Sequence, residues 1–199
     1  YSTDIVSDYR NEYAPFDQLH KLTQAEGLHW VAHHLNGGYR NEENCIPGFN
    51  LAVIDVDGGV NISTAKLLLK NYKFLLYTTK RHTDEENRFR ILLPLNYELQ
   101  MDARDYKEFM ANIYEWLPFE VDTATNQRSR KWLSNNGHFE YNDGDVLDAL
   151  PFIPKTSKNE ERKELVHSQQ SMDNLERWVC NNIGDGNRNI MLLRFAMML

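Results

Sequence analysis

From Phe49 onward, hydrophobic and polar positions follow two alternating periods. Phe49-Asn50-Leu51-Ala52-Val53-Ile54-Asp55-Val56-Asp57 is β-rich and stops at Gly58-Gly59, which predicts a strand. Ser63 reads as the cap of a short helix running to about Asn71, and Lys73–Thr79 as a second strand. A polar loop, Lys80 to Asn87, leads to a third strand over Arg88–Leu95 that ends at a proline-bearing boundary. Between Asp102 and Leu117 the period changes to 3.6, with Tyr106, Phe109, Met110, Ile113 and Leu117 on one helical face. Lys131-Trp132-Leu133-Ser134 is a fourth short strand. The order β-α-β-β-α-β predicts an α+β fold, a split βαβ antiparallel sheet with two helices on one face.

The flanks are less regular. Before Phe49, Thr23-Gln24-Ala25-Glu26 has the capping-box pattern and predicts a helix that ends at Gly37-Gly38. His29 and His33 would lie four apart on it, with His34 and Cys45 nearby. No second pair completes a four-ligand set, so zinc is not expected. Residues 154–171 are charged and lack aromatics, which predicts a linker between a domain at 1–153 and a small helical segment at 172–199. That last segment stops inside an apolar run, Ile190 to Leu199, and predicts that the chain continues.

Composition narrows the class. The 199 residues are 41% hydrophobic and 26% charged, enough apolar character for a core and too much for a disordered tail. No apolar run approaches the roughly 20 residues of a membrane span, and the amino end has no basic and apolar leader pattern. Cys45 and Cys180 are far apart and fit free thiols in a reducing compartment. The net charge of −7 argues against a diffuse polyphosphate binder. The charge is uneven, however. Residues 60–82 hold Lys66, Lys70, Lys73, Lys80 and Arg81 with no acid, and residues 123–139 hold Arg128, Arg130 and Lys131 with none. Each island alone also reads as a solvated face.

The chemistry gathers at strand ends. Asp55 and Asp57, two apart in a strand, project to one face, where paired carboxylates repel unless a cation lies between them. Oxygen-only ligands suit Mg²⁺ or Mn²⁺. With Phe89, Ile91 and Leu93 under the helices, Arg88 and Arg90 emerge on the opposite, open face, beside the aspartates. Carboxylates for metal beside arginines for phosphate suit nucleotidyl transfer. The competing reading has the arginines solvate an exposed face and pair with Glu85 or Glu86. Thr79, Lys80, Arg81 and His82 lie close enough to reach a triphosphate, and Asp122, with Glu120 as a rival, is the third carboxylate that two metals need. Arg128, Arg130 and Lys131, with Trp132 among them, can hold a nucleic-acid backbone and stack a base, or form a surface strand whose tryptophan belongs to the core.

Asp55-Val56-Asp57, Tyr77-Thr78-Thr79-Lys80-Arg81-His82-Thr83, Arg88-Phe89-Arg90-Ile91-Leu92-Leu93-Pro94 and Val121-Asp122 resemble the motifs of the archaeo-eukaryotic primase superfamily. The likeness is strongest to the primase-polymerase branch of phages and mobile elements. It spans roughly Gly37 to Pro154 and includes Gly38-Tyr39-Arg40-Asn41; Gly184 to Asn189 looks like the start of the helical primase carboxyl-terminal module. The resemblance implies an RRM-like catalytic core in which Asp55, Asp57 and Asp122 hold two divalent ions, Mg²⁺ or Mn²⁺. His82 would contact the nucleotide phosphates, flanked by Arg88 and Arg90, with Thr79, Lys80, Arg81 and Arg40 assisting. Arg128, Arg130 and Lys131 would lie along the template. One departure stands out: Lys80 and Arg81 occupy positions before the histidine where small or hydroxyl residues are usual. The implied activity is primer synthesis or extension on single-stranded DNA with dNTP or NTP. It would take place in the cytoplasm of a bacterial host, with a helicase domain downstream. Two other classes compete. One is a split-βαβ nucleic-acid binding module without chemistry. The other is a sugar-nucleotide transferase using D-x-D, for which the required nucleotide-binding βαβ start is absent.

Overall fold

The computed structural model describes residues 1–155. In chain order the elements are α1 (His20–Thr23), β1 (His29–Trp30), β2 (Phe49–Asp57), α2 (Ile62–Leu68), β3 (Phe74–Thr78), β4 (Arg88–Leu99), α3 (Ala103–Trp116), β5 (Trp132–Leu133) and β6 (Phe139–Asn142). One antiparallel sheet has the order β2-β4-β3-β6, and β1 pairs with β5 in a second, two-stranded one. Strand β4 lies between β2 and β3, which are therefore parallel to each other and joined through α2. Tyr1–Ile153 make one compact unit. The expected linker beyond Lys155 and the helical segment at 172–199 lie outside the described residues.

The period-two pattern sorts the sheet's faces. Ala52, Ile54 and Val56 of β2, Leu76 of β3, and Phe89, Ile91 and Leu93 of β4 pack against Ala65 of α2 and Tyr106, Phe109, Met110 and Ile113 of α3. All of the apolar face expected of α3 is buried, and Asp102 caps the helix by accepting the Asp105 N–H at 2.9 Å. Emptying that face at Phe109 would cost about 3–5 kcal/mol.

The other face is not open. Val53, Leu75, Tyr77 and Leu92 are buried beneath Trp30 of β1 and Trp132 of β5, with Phe16, Leu19 and Leu22 packed around them. This layer overturns the expected open sheet face. It also corrects the fourth strand: Lys131–Ser134 does not join the main sheet, because Trp132 and Leu133 pair with Trp30 and His29. The fourth place goes to β6, at the edge of β3.

Three local expectations also differ. The capping box at Thr23 does not start a helix: Thr23 ends α1, and Gly27 at φ +77° turns the chain into β1. Helix α2 is capped by Asn61, whose Oδ1 accepts the Thr64 N–H at 2.8 Å, rather than by Ser63, and it ends at Leu68. Strand β4 runs through Pro94 to Leu99. The proline sits opposite a register shift between Phe49 and Leu51, and its carbonyl accepts the Leu147 N–H at 3.1 Å.

Candidate active site

Register brings acid and base together. In the antiparallel pairing of β2 with β4, Asp55 stands directly across from Arg90 and Asp57 from Arg88. Cross-strand partners point to the same face, so two carboxylates and two guanidiniums form adjacent rungs. The inner rung is sealed. Arg90 donates from Nε to Asp55 Oδ1 at 2.9 Å, and from one terminal nitrogen to the Tyr77 hydroxyl at 3.0 Å and the Leu133 carbonyl at 2.9 Å. Its guanidinium also lies 5.1 Å from the Trp132 ring centre and 5.6 Å from that of Tyr77. The outer rung faces water: Arg88 pairs with Asp57, whose side chain is 53% exposed, and with Glu86 at 2.8 Å.

Burial pushes the Asp55 carboxyl above its usual range; the Arg90 guanidinium opposes the rise and neighbouring Asp122 adds to it. Burial alone would lower the Arg90 pKa, but the Tyr77 hydroxyl and Asp55 carboxylate raise it on balance. Asp122 reaches this place through the backbone: its N–H donates to the Asp55 carbonyl at 2.9 Å, beside β2 but without extending the sheet. It then caps the turn Thr123–Thr125, Oδ1 accepting the Ala124 N–H at 2.9 Å. Glu120 is exposed and lies near Gly59, one turn beyond Asp57.

The turn after β3 carries His82. Thr79 donates its N–H to the Arg88 carbonyl, and His82 donates its N–H to the Thr79 carbonyl, which folds the turn back on β4. His82 Nδ1 accepts the Arg88 backbone N–H at 3.1 Å, so the neutral ring carries its proton on Nε2. That tautomer presents an N–H donor, as a phosphate oxygen requires. Lys80 and Arg81 are exposed and make no ion pair among the described residues.

The basic islands break up on folding. Lys66 pairs with Glu140, and Lys73 with Asp143 at 3.4 Å, so part of the first island is spent on β6 and its turn. In the second island, Arg128 is not available to a nucleic-acid backbone, which corrects that expectation. Its Nε donates to Glu42 at 3.1 Å, and its terminal nitrogens to the Met101 and Glu42 carbonyls. Ser129 completes the cradle, donating its N–H and hydroxyl to Glu42 Oε1. Arg40 straps the amino end, donating to the Ile5 and Ser129 carbonyls. Arg130 lies over Trp132 at 5.5 Å, with its Nε buried and without a hydrogen-bond partner among the described residues. Arg130 is also close enough to Asp55 to favour the ionised carboxylate. Burial lowers the Lys131 pKa, and the nearby charges of Arg40, Arg130 and Arg90 lower it further. The resemblance laid Arg130 and Lys131 along the template; the fold brings Arg130 near enough to Asp55 to act on its charge, and Lys131 near Arg40, Arg130 and Arg90.

The histidine–cysteine set does not gather. His33 is buried between Phe49 and Tyr106, and His34 stacks edge-on with Tyr13. Cys45 is a buried free thiol, its pKa pushed up to about 11 by burial and by Glu42. A cavity of about 490 Å³ runs beneath Tyr9–Pro15, lined also by Leu19, Leu22 and Trp30; it contains none of the residues put forward for phosphate or carboxylate chemistry.

For divalent ions, the donor set fits in kind: three carboxylates and no nitrogen or sulfur. As the side chains stand, no group of three or more His, Cys, Asp or Glu among the described residues is drawn together as a metal cluster. In Asp55, Asp57 and Asp122 alike the engaged oxygen is Oδ1, held by Arg90, by Arg88 and by the Ala124 N–H. Tyr77 was missed as a partner of this site. Its signal was an aromatic in β3 directly across from Arg90.

No protein-family model matches the chain, and no curated protein sequence does. Among solved structures the chain is similar to the AEP domain of the cyanophage S-2L primase-polymerase, with 15% identity and a TM-score of 0.43, over 62% of this chain and 68% of that one. Among the described residues, no helix is long and apolar enough to cross a membrane.

Proposed function

We propose that the chain is a template-directed nucleotidyltransferase, a DNA primase-polymerase that makes or extends primers. One observation carries the reading: Asp55 and Asp57 stand on one face of β2, with Asp122 bonded to the Asp55 backbone and the ordered His82 turn closing on the same end of β4. Asp55, Asp57 and Asp122 would hold Mg²⁺ or Mn²⁺, which when bound activates a hydroxyl for attack and neutralises a leaving pyrophosphate. His82 donates from Nε2 to a phosphate oxygen. Arg88, on the exposed rung, is the arginine within reach of a nucleotide, and Lys80 and Arg81 extend that side. Arg130 adds positive charge near Asp55, and Lys131 stands close to Arg130 and Arg90, where polyphosphate or template backbone would lie. Single-stranded DNA, dNTP or NTP, a downstream helicase domain and a phage or mobile-element setting in a bacterial host belong to the same proposal.

The test is Mg²⁺- or Mn²⁺-dependent dNTP incorporation on a primed template by Asp55→Asn and Asp57→Asn variants. Each is expected to lose at least about 100-fold in rate, as when an interaction with the transition state is removed. Undiminished incorporation overturns the assignment.

One observation favours a second reading, a nucleic-acid binding module without chemistry: both aspartates already have arginine partners. Oligonucleotide binding that ignores divalent ions and nucleotides would support it. Against it stands the layer of Trp30 and Trp132 over the sheet face such modules use for stacking.

A further inference from the structure

Arg90 and Arg88 come from one short motif and face the same way, yet they have different surroundings. Among the described residues every contact of Arg90 is internal, and together they come from three strands. Asp55 belongs to β2, the Tyr77 hydroxyl to β3, and the Leu133 carbonyl and Trp132 ring to β5. Tyr77 itself donates to the Leu133 carbonyl at 3.4 Å, so the arginine and the phenol share one acceptor. The Arg90 side chain is 13% exposed and that of Asp55 15%, which leaves no room for a phosphate between them. A planar guanidinium with five donors can serve three acceptors in fixed directions, whereas an ammonium on a flexible stem cannot hold the same fork.

We infer that Arg90 is a positioning residue rather than a nucleotide ligand: it fixes the Asp55 carboxylate and pins the Trp132–Leu133 strand to the sheet. The second half of that role has a consequence for charge. Arg130 and Lys131 immediately precede Trp132, so the clamp on Trp132 and Leu133 also sets where those two cations stand relative to Asp55. Among the described residues Arg88 has no such set of contacts; its side-chain partners there are two carboxylates more than half exposed, Asp57 and Glu86. The motif thus divides into an inner arginine that orients the site and an outer arginine that meets the substrate.

The functional part of this inference rests on the nucleotidyltransferase reading, and two measurements keep them apart. In the full chain, Arg90→Lys and Arg88→Lys are compared for dNTP incorporation, with thermal melting as the control for folding. Arg90→Lys is expected to lower kcat at least about 30-fold while leaving the KM for dNTP within about threefold. Arg88→Lys is expected to raise KM about tenfold with a smaller change in kcat. A raised KM with kcat intact in Arg90→Lys would overturn the positioning role. The second measurement needs neither activity nor a buried-site variant. In ¹H–¹⁵N spectra of the unmodified chain, the Arg90 Nε–H is expected to exchange with solvent at least about 100-fold more slowly than that of Arg88. Equal exchange would overturn the inference even if the enzyme is active. Slow exchange in a chain that incorporates no nucleotide would leave the clamp standing and remove the functional reading.

Discussion

The Asp55–Arg90 and Asp57–Arg88 rungs are two residues apart on the same pair of strands, one sealed beneath Trp132 and the other open to water. Their chemistry is identical and their physics is not. A buried ion pair has lost its hydration, so each remaining donor must find an acceptor; Arg90 finds the Tyr77 hydroxyl and the Leu133 carbonyl. The outer pair keeps its water, gains little from pairing and exchanges partners at little cost. Burial, rather than residue type, therefore separates the arginine held by internal partners from the one open to water.

The largest effect that would break this comparison is on stability. Asp55→Asn leaves the buried Arg90 charge without its counterion and is expected to cost about 3 kcal/mol or more in urea unfolding. Asp57→Asn is expected to stay within about 0.5 kcal/mol. Equal costs for the two would mean that the rungs do not differ as described.

A comparable effect comes from a buried group that burial keeps neutral. Burial, with the nearby Arg128 charge, lowers the His33 pKa from 6.5 to about 4. Between those values the unfolded chain binds the proton and the folded chain does not. His33 therefore contributes fully above about pH 6.5, and its contribution is lost as pH falls towards 4, on the order of 3 kcal/mol in all. His33→Phe, placed between Phe49 and Tyr106, is expected to remove that part of the acid slope. An unchanged slope between pH 6.5 and 4 would contradict a neutral buried ring.

The smallest effect is screening. A double-mutant cycle on Asp57 and Arg88 is expected to give under about 1 kcal/mol at low salt and nearly nothing at 1 M NaCl. The coupling between Asp55 and Arg90 is expected to change little over the same range. Salt sensitivity of the inner pair would show that water reaches it.

Much of the fold was legible because its signals are local and periodic. Strand β2 was read from Phe49 to Asp57 by its β-rich run and its Gly58-Gly59 stop, and α3 by five buried positions at helical spacing. The capping-box pattern at Thr23 misled because a local cap is worth little against a glycine turn and the pairing of Trp30 with Trp132 across about a hundred residues. Strand β6 was overlooked although it alternates Phe139 and Tyr141 with Glu140 and Asn142; at four residues it is too short for its period to stand out. Of the site, strand periodicity placed Asp55 with Asp57 and Arg88 with Arg90 on shared faces; the register that pairs them came from the fold. Arg128 did not, because nothing near it in sequence announces Glu42, 86 residues away.

The sequence by itself determined that two carboxylates share a face of one strand and two guanidiniums a face of another, because side chains in a strand repeat every second residue. It also determined that a histidine turn follows the neighbouring strand. Only the tertiary structure decided which arginine is sealed and which is exposed, and that Arg130 comes near enough to Asp55 to act on its charge. The reason is physical: the seal is made by Trp132 and Leu133, held by pairing with Trp30 and His29, and burial imposed from so far along the chain leaves no local pattern around Arg90.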